Sequence, residues 1–113
     1  MTHIETRRER YLKDTFPKRV GALAANLARL SSFSKETSNP KIIEGLLEES
    51  EHFIEWTAAD APEDLRARLV ELQIQLALYS HRIKQGRNEF SKLSREFKKW
   101  SDGLLTASGL IRL

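Results

Sequence analysis

Three histidines, sixteen carboxylates and no cysteine make up the chain's stock of metal-binding and acid–base groups. Glu49-Ser50-Glu51-His52 sets a carboxylate three residues before an imidazole, one helical turn apart, the spacing with which a di-metal site inside a four-helix bundle takes two of its ligands. Such a site needs a second pair of the same kind and two further glutamates facing the same core. There is no second pair, because neither His3 nor His81 has a glutamate three residues before it. On a helix, Glu48, His52 and Glu55 fall away from most of the apolar residues, so the cluster reads as a solvated acidic face and no metal ligand is assigned. A structural zinc site would lack thiolates, and the scattered glycines form no phosphate loop. Nothing marks a serine as a nucleophile, and the histidines are far apart in sequence, so a catalytic triad has no support. The expectation is a protein that is not an enzyme and uses no cofactor.

A second group of candidates is basic and aromatic. Phe90, Phe97 and Trp100 interleave with Arg87, Lys92, Arg95, Lys98 and Lys99, a mixture that could bind single-stranded nucleic acid by stacking on bases and pairing with phosphates. Helical spacing puts all three aromatics on one ladder with Leu93, which is where a core residue belongs, so burial is the preferred reading and a basic nucleic-acid binder ranks third among the functions.

The remaining histidine sits in Ser80-His81-Arg82-Ile83-Lys84-Gln85-Gly86. This segment resembles the phospho-acceptor segment of histidine phosphotransfer domains, in which a helical histidine is followed by an apolar residue at +2, a lysine at +3 and small residues after it. It is also similar to the H-box of sensor kinases. The resemblance implies a helical bundle in which an exposed His81 accepts a phosphoryl group and Lys84 steadies the phosphoryl oxygens. It covers seven of 113 residues. Gln85 stands where the pattern has glycine, Arg82 where an H-box has an acidic residue, and no ATP-binding module accompanies them. The first reading of His81 is a solvated helical histidine, with phosphotransfer through His81 and Lys84 as the alternative.

All these residues depend on helices for their placement, and the punctuation locates the helices. Asn39-Pro40 sets an N-cap before a proline at the first helical position, and Ile42, Ile43, Leu46, Leu47, Phe53, Ile54 and Trp56 follow with helical period, predicting a helix over 40–59. Asp60, with Glu63 three residues later and Pro62 between, reads as a capping box that opens the next helix. Only a tight turn separates the two, so they are antiparallel neighbours. Upstream, Phe16, Val20, Leu23, Leu27 and Leu30 mark another helix that dissolves into Ser31, Ser32, Ser34, Thr37 and Ser38. Pro17 predicts helix on both sides of itself with a kink or break between. Before it, Ile4, Tyr11 and Leu12 make only a thin apolar stripe.

From the middle of the chain a longer ladder runs through Leu65, Leu69, Leu72, Leu76, Tyr79, Ile83, Gly86, Phe90, Leu93, Phe97, Trp100 and Leu104 in steps of three and four. Two structures satisfy it. If the chain turns at Gly86-Arg87-Asn88, the last segment folds back and completes an up-down four-helix bundle; if it continues, one helix of about 40 residues extends about 60 Å at 1.5 Å per residue and leaves its far end uncovered. Val70, Ile74, Ala77 and Leu78 add a second apolar stripe on the opposite side of the ladder between residues 62 and 85, and a helix apolar on two sides needs neighbours on two sides. Gly103 is expected to stop the final helix, leaving Leu104, Leu105, Leu110, Ile111 and Leu113 as an apolar tail that also needs cover.

A length of 113 residues with 40% hydrophobic content suits one core and one domain over 1–113. The absence of cysteine points to a reducing compartment and hence the cytoplasm, and no signal peptide or membrane-spanning run is visible. The net charge of +3 is unevenly spread: residues 1 to 35 carry +5, residues 36 to 81 carry −7 and residues 82 to 113 carry +5, so helices from the basic ends are expected to lie beside acidic ones. The combined expectation is an all-α antiparallel bundle of three long helices or four, with coiled-coil-like packing. Its expected role is non-enzymatic protein–protein interaction, regulation or scaffolding, as a homodimer whose interface draws on Val70, Ile74, Phe90, Leu93, Phe97 and Trp100. An unidentified protein partner is the other candidate; nucleic acid and membrane are not expected partners.

Overall fold

A computed structural model describes residues 2–36, 40–86 and 90–107. They form five α-helices and no strand: α1 (His3–Lys13), α2 (Phe16–Glu36), α3 (Pro40–Ala58), α4 (Glu63–Lys84) and α5 (Phe90–Ala107). The all-α reading holds, whereas the count of three or four helices is corrected to five. The additional helix is α1, the helix expected before Pro17 but left out of that count because its apolar stripe is thin. It is held instead by a capping box, in which the Glu5 N–H donates to Thr2 Oγ1 and the Thr2 N–H donates to the Glu5 carboxylate, both at 3.1 Å. The break before Pro17 lies where expected: Asp14 is extended, and Pro17 falls in the first turn of α2, where its missing N–H costs nothing.

Side-chain contacts set the register of the four long helices. Ser31 faces Ser94 and the Ala24 carbonyl faces Ser101, so α2 and α5 are antiparallel. Asn26 reaches Glu49 across α2 and α3, while the start of α3 and the end of α4 line one groove. Tyr79 of α4 donates to the Glu96 carboxylate on α5. Consecutive long helices therefore alternate in direction, and α1 lies along α3 in the same direction, with Arg7 on Glu49 and Tyr11 stacked on Phe53.

One shared core includes Val20, Leu23, Leu27 and Leu30 from α2, Ile43, Leu47 and Ile54 from α3, the α4 ladder from Leu65 to Ile83, and Leu93, Phe97 and Leu104 from α5. The chain turns at Gly86, whose φ of +78° is the left-handed conformation that glycine adopts without a Cβ penalty, and whose N–H closes α4 on the Ile83 carbonyl at 3.0 Å. The continuous-helix alternative is thereby excluded: the longest dimension of the molecule is 41 Å, short of the roughly 60 Å such a helix would span. The ladder keeps its phase across the turn because both of its halves face the same core. Arg87 and Asn88 lie outside the described residues, as do Asn39, expected to cap α3, and the tail residues Leu110, Ile111 and Leu113.

Ser31, Ser32 and Ser34 do not end α2, which continues to Glu36, and two other punctuation marks also act differently from their sequence reading. Asp60 does not cap α4, which begins at Glu63 behind Pro62 with no side-chain cap; its carboxylate is bound by Arg19 at 2.9 Å. Gly103 does not stop α5, which runs on to Ala107. A single glycine in a helix costs about 1 kcal/mol relative to alanine, a penalty easily met where Leu104 beside it is buried.

Candidate functional site: the outer face of α4

α4 carries two apolar stripes with different fates. Leu65, Leu69, Leu72, Leu76, Tyr79 and Ile83 are buried in the core, while Val70, Ile74 and Leu78 remain 49%, 56% and 44% exposed on the outer side. Their spacing of four residues puts them in one row along the helix, and Ala67 and Ala77 border them, also exposed. Among the described residues the other exposed large apolar side chains, Ile4, Leu12, Phe33 and Ile42, are spread over α1, α2 and α3, each less exposed than any of the three on α4.

Charge brackets this stripe. Glu63 and Asp64 occupy the first turn of α4, and His81, Arg82 and Lys84 the last, each sign placed where it complements the helix dipole. Arg66 is turned away from the stripe, donating to the carbonyls of Ala58 and Ala61 at 3.1 and 3.0 Å, which caps the end of α3. On another side, Arg68 borders a cavity of about 390 Å³ shared with Glu96, Lys99, Trp100, Gly103 and Leu104 of α5.

Of the interface residues expected from sequence, Val70 and Ile74 are at the surface and Trp100 is half-buried. Leu93 and Phe97 are enclosed by the chain's own core, 3% and 0% exposed, because α5 folds back onto α2. The side chain of Phe90 lies outside the described residues.

The phospho-acceptor pair is only partly assembled. His81 is exposed at the end of the Val70–Ile74–Leu78 row. Lys84 lines a polar groove between α3 and α4 with Lys41, Glu44, Glu48, Glu51 and Ser80. The Glu51 carboxyl there is pushed above its ordinary range by burial, with the Lys84 charge pulling in the opposite direction. Lys84 thus acts on the Glu51 carboxyl as well as standing one turn from His81.

Glu49 and His52 have separate tasks. Glu49 accepts from Asn26 at 3.0 Å and pairs with Arg7 at 2.7 Å, whereas His52 stacks on Trp56 with ring centroids 5.4 Å apart. Among the described residues no three histidine or carboxylate side chains converge as a metal site. On α5, Phe97 meets Tyr79 edge-on at 5.5 Å inside the core, where no base could stack on it. Lys98 pairs with Asp102 along the same helix. No described helix is long and apolar enough to cross a membrane.

Sequence reading missed the buried polar cluster that docks α1. Tyr11 Oη donates to the Arg19 carbonyl at 2.8 Å and lies 2.5 Å from Thr57 Oγ1. The available signal was an aromatic residue on an otherwise charged helix. Comparison with protein families, curated proteins and solved structures finds no match to the chain.

Proposed function

We propose that the protein is a non-enzymatic helical interaction domain that works as a homodimer, using the outer face of α4. The supporting observation is the row of Val70, Ile74 and Leu78 left exposed on a helix whose opposite face is buried. Fully burying an exposed aliphatic side chain gains roughly 1.5–3 kcal/mol, of which these half-exposed ones have about half still to gain, and three in one row supply a driving force that scattered ones do not. A second helix laid along the row would pack in coiled-coil fashion.

The test is sedimentation equilibrium from low to high micromolar concentration. Wild type should pass from monomer to dimer, and Ile74→Glu should remain monomeric with unchanged helicity, since the site faces solvent within one chain. A wild type that stays monomeric throughout that range would overturn the proposal.

A second reading, phosphotransfer through His81, draws on the exposure of that imidazole, which an acceptor requires. In this reading the imidazole attacks the phosphorus of an aspartyl phosphate on a response regulator and the carboxylate leaves. Incubation with phosphorylated response regulators should then give an acid-labile, alkali-stable label that His81→Gln abolishes. Absence of label on the wild type removes the reading.

A further inference from the structure

We infer that the two copies pair antiparallel through α4, across a twofold axis passing beside Ile74. The inference rests on the dimer proposed above and adds its geometry. α4 spans Glu63–Lys84, so Ile74 lies at its middle, with Val70 four residues before and Leu78 four after. At about 100° per residue, Val70 and Leu78 project within about 40° of the Ile74 direction. An antiparallel twofold at this point lays Val70 against the partner's Leu78 and Ile74 against the partner's Ile74.

Charge chooses between the two directions. The same operation brings the acidic first turn, Glu63 and Asp64, beside the basic last turn of the second copy, and it opposes the two helix dipoles. On the helical wheel Asp64 and Arg82 flank the stripe on one side, so Asp64 meets the partner's Arg82, while Glu63 meets the partner's His81. A parallel pairing would stack acid on acid and base on base at both ends, with the dipoles aligned. Arg66, the base nearest the acidic end, is already held by the carbonyls at the end of α3. A single pair of helices about 33 Å long makes an interface at the small end of the specific range, below roughly 1,200 Å², which fits micromolar dissociation.

The chain has no cysteine, so introduced cysteines report the geometry without background. Under mild oxidation Ile74→Cys should cross-link to itself. Val70→Cys and Leu78→Cys should cross-link poorly alone and well when mixed, because two copies of Val70 would sit about 12 Å apart along the helices, while a disulfide needs Cα atoms within about 7 Å. Independently, Asp64→Arg and Arg82→Asp should each weaken the dimer about fivefold, and the two changes in one chain should restore it. Self-linking of Val70→Cys and of Leu78→Cys would overturn the antiparallel arrangement and leave the dimer standing. A dimeric wild type with no cross-link at any α4 position would place the interface elsewhere, again overturning the inference alone. A monomeric wild type would overturn both.

Discussion

Tyr11 is the residue on which the docking of α1 turns. Its ring packs against Phe53 and Trp56 at 4.4 and 5.6 Å, and its hydroxyl joins Arg19 and Thr57. Burial pushes the phenol up from 10.0 to about 12, an effect opposed by the Thr57 hydrogen bond and the Arg19 charge and reinforced by Asp14. Between those two values the folded state keeps a proton that the unfolded chain releases, so the contribution of Tyr11 to stability is complete below pH 10.0 and is lost as pH rises toward about 12. Tyr11→Phe should lower stability at neutral pH by about 1–3 kcal/mol, because the buried Thr57 hydroxyl loses a partner. It should also flatten the fall in stability above pH 10.0 relative to wild type. Urea titrations of both proteins across that range check this, and parallel curves would mean that the phenol is not coupled to folding. Arg19 and Asp60 show why such sites escape a sequence reading. The Asp60-x-x-Glu63 pattern is local and suggests a cap, whereas its actual partner is 41 residues away and is known only once α2 and α3 are packed.

At the scale of elements, periodicity reported the buried faces well: the ladder positions described on α4 and α5 are buried or, at Trp100, half-buried. It was blind to the turn at Gly86, because a helix that folds back onto the same core can resume in phase and leave no break in the pattern. It also passed over the seam between α2 and α5. Here the Ala24 carbonyl accepts from Ser101 Oγ at 2.9 Å, and Ser31 and Ser94 exchange hydrogen bonds to each other's carbonyls at 2.8 and 2.9 Å. Ala24 and Ser31 are seven residues apart, as are Ser94 and Ser101, a small-residue heptad that a search for large apolar residues does not register. Phe97 sits beside this seam, fully buried. Phe97→Ala should cost about 3–5 kcal/mol, while Trp100→Ala, at a half-buried site, should cost less. Since Phe97 is enclosed within one chain, its loss should be the same at low and high protein concentration by chemical denaturation. A loss that changes with concentration would tie Phe97 to the dimer contact.

Across the whole molecule the acidic middle of the sequence acts as the counter-charge for the first third. Arg7 binds Glu49 at 2.7 Å and Arg19 binds Asp60 at 2.9 Å, both pairs linking a basic residue before position 35 to an acidic one after position 36. Among the described residues of α5, Lys98 has Asp102 on its own helix, while Lys92, Arg95 and Lys99 are exposed. Those three cations offer a polyanion charge, and of the described aromatics beside them Phe97 is sealed in the core and Trp100 is half-buried. Each phosphate neutralised contributes about −0.9 to the slope of log K against log salt, so three contacts give a slope no steeper than about −3 and binding that is weak at physiological salt. Heparin affinity chromatography and oligonucleotide titration over a salt series measure this directly. The expected result is early elution and a shallow slope. A steep slope with tight binding, abolished by changing Lys92, Arg95 and Lys99 together, would move the nucleic-acid reading ahead of the interaction domain, because the α5 cations would then anchor an affinity beyond what three phosphate contacts supply.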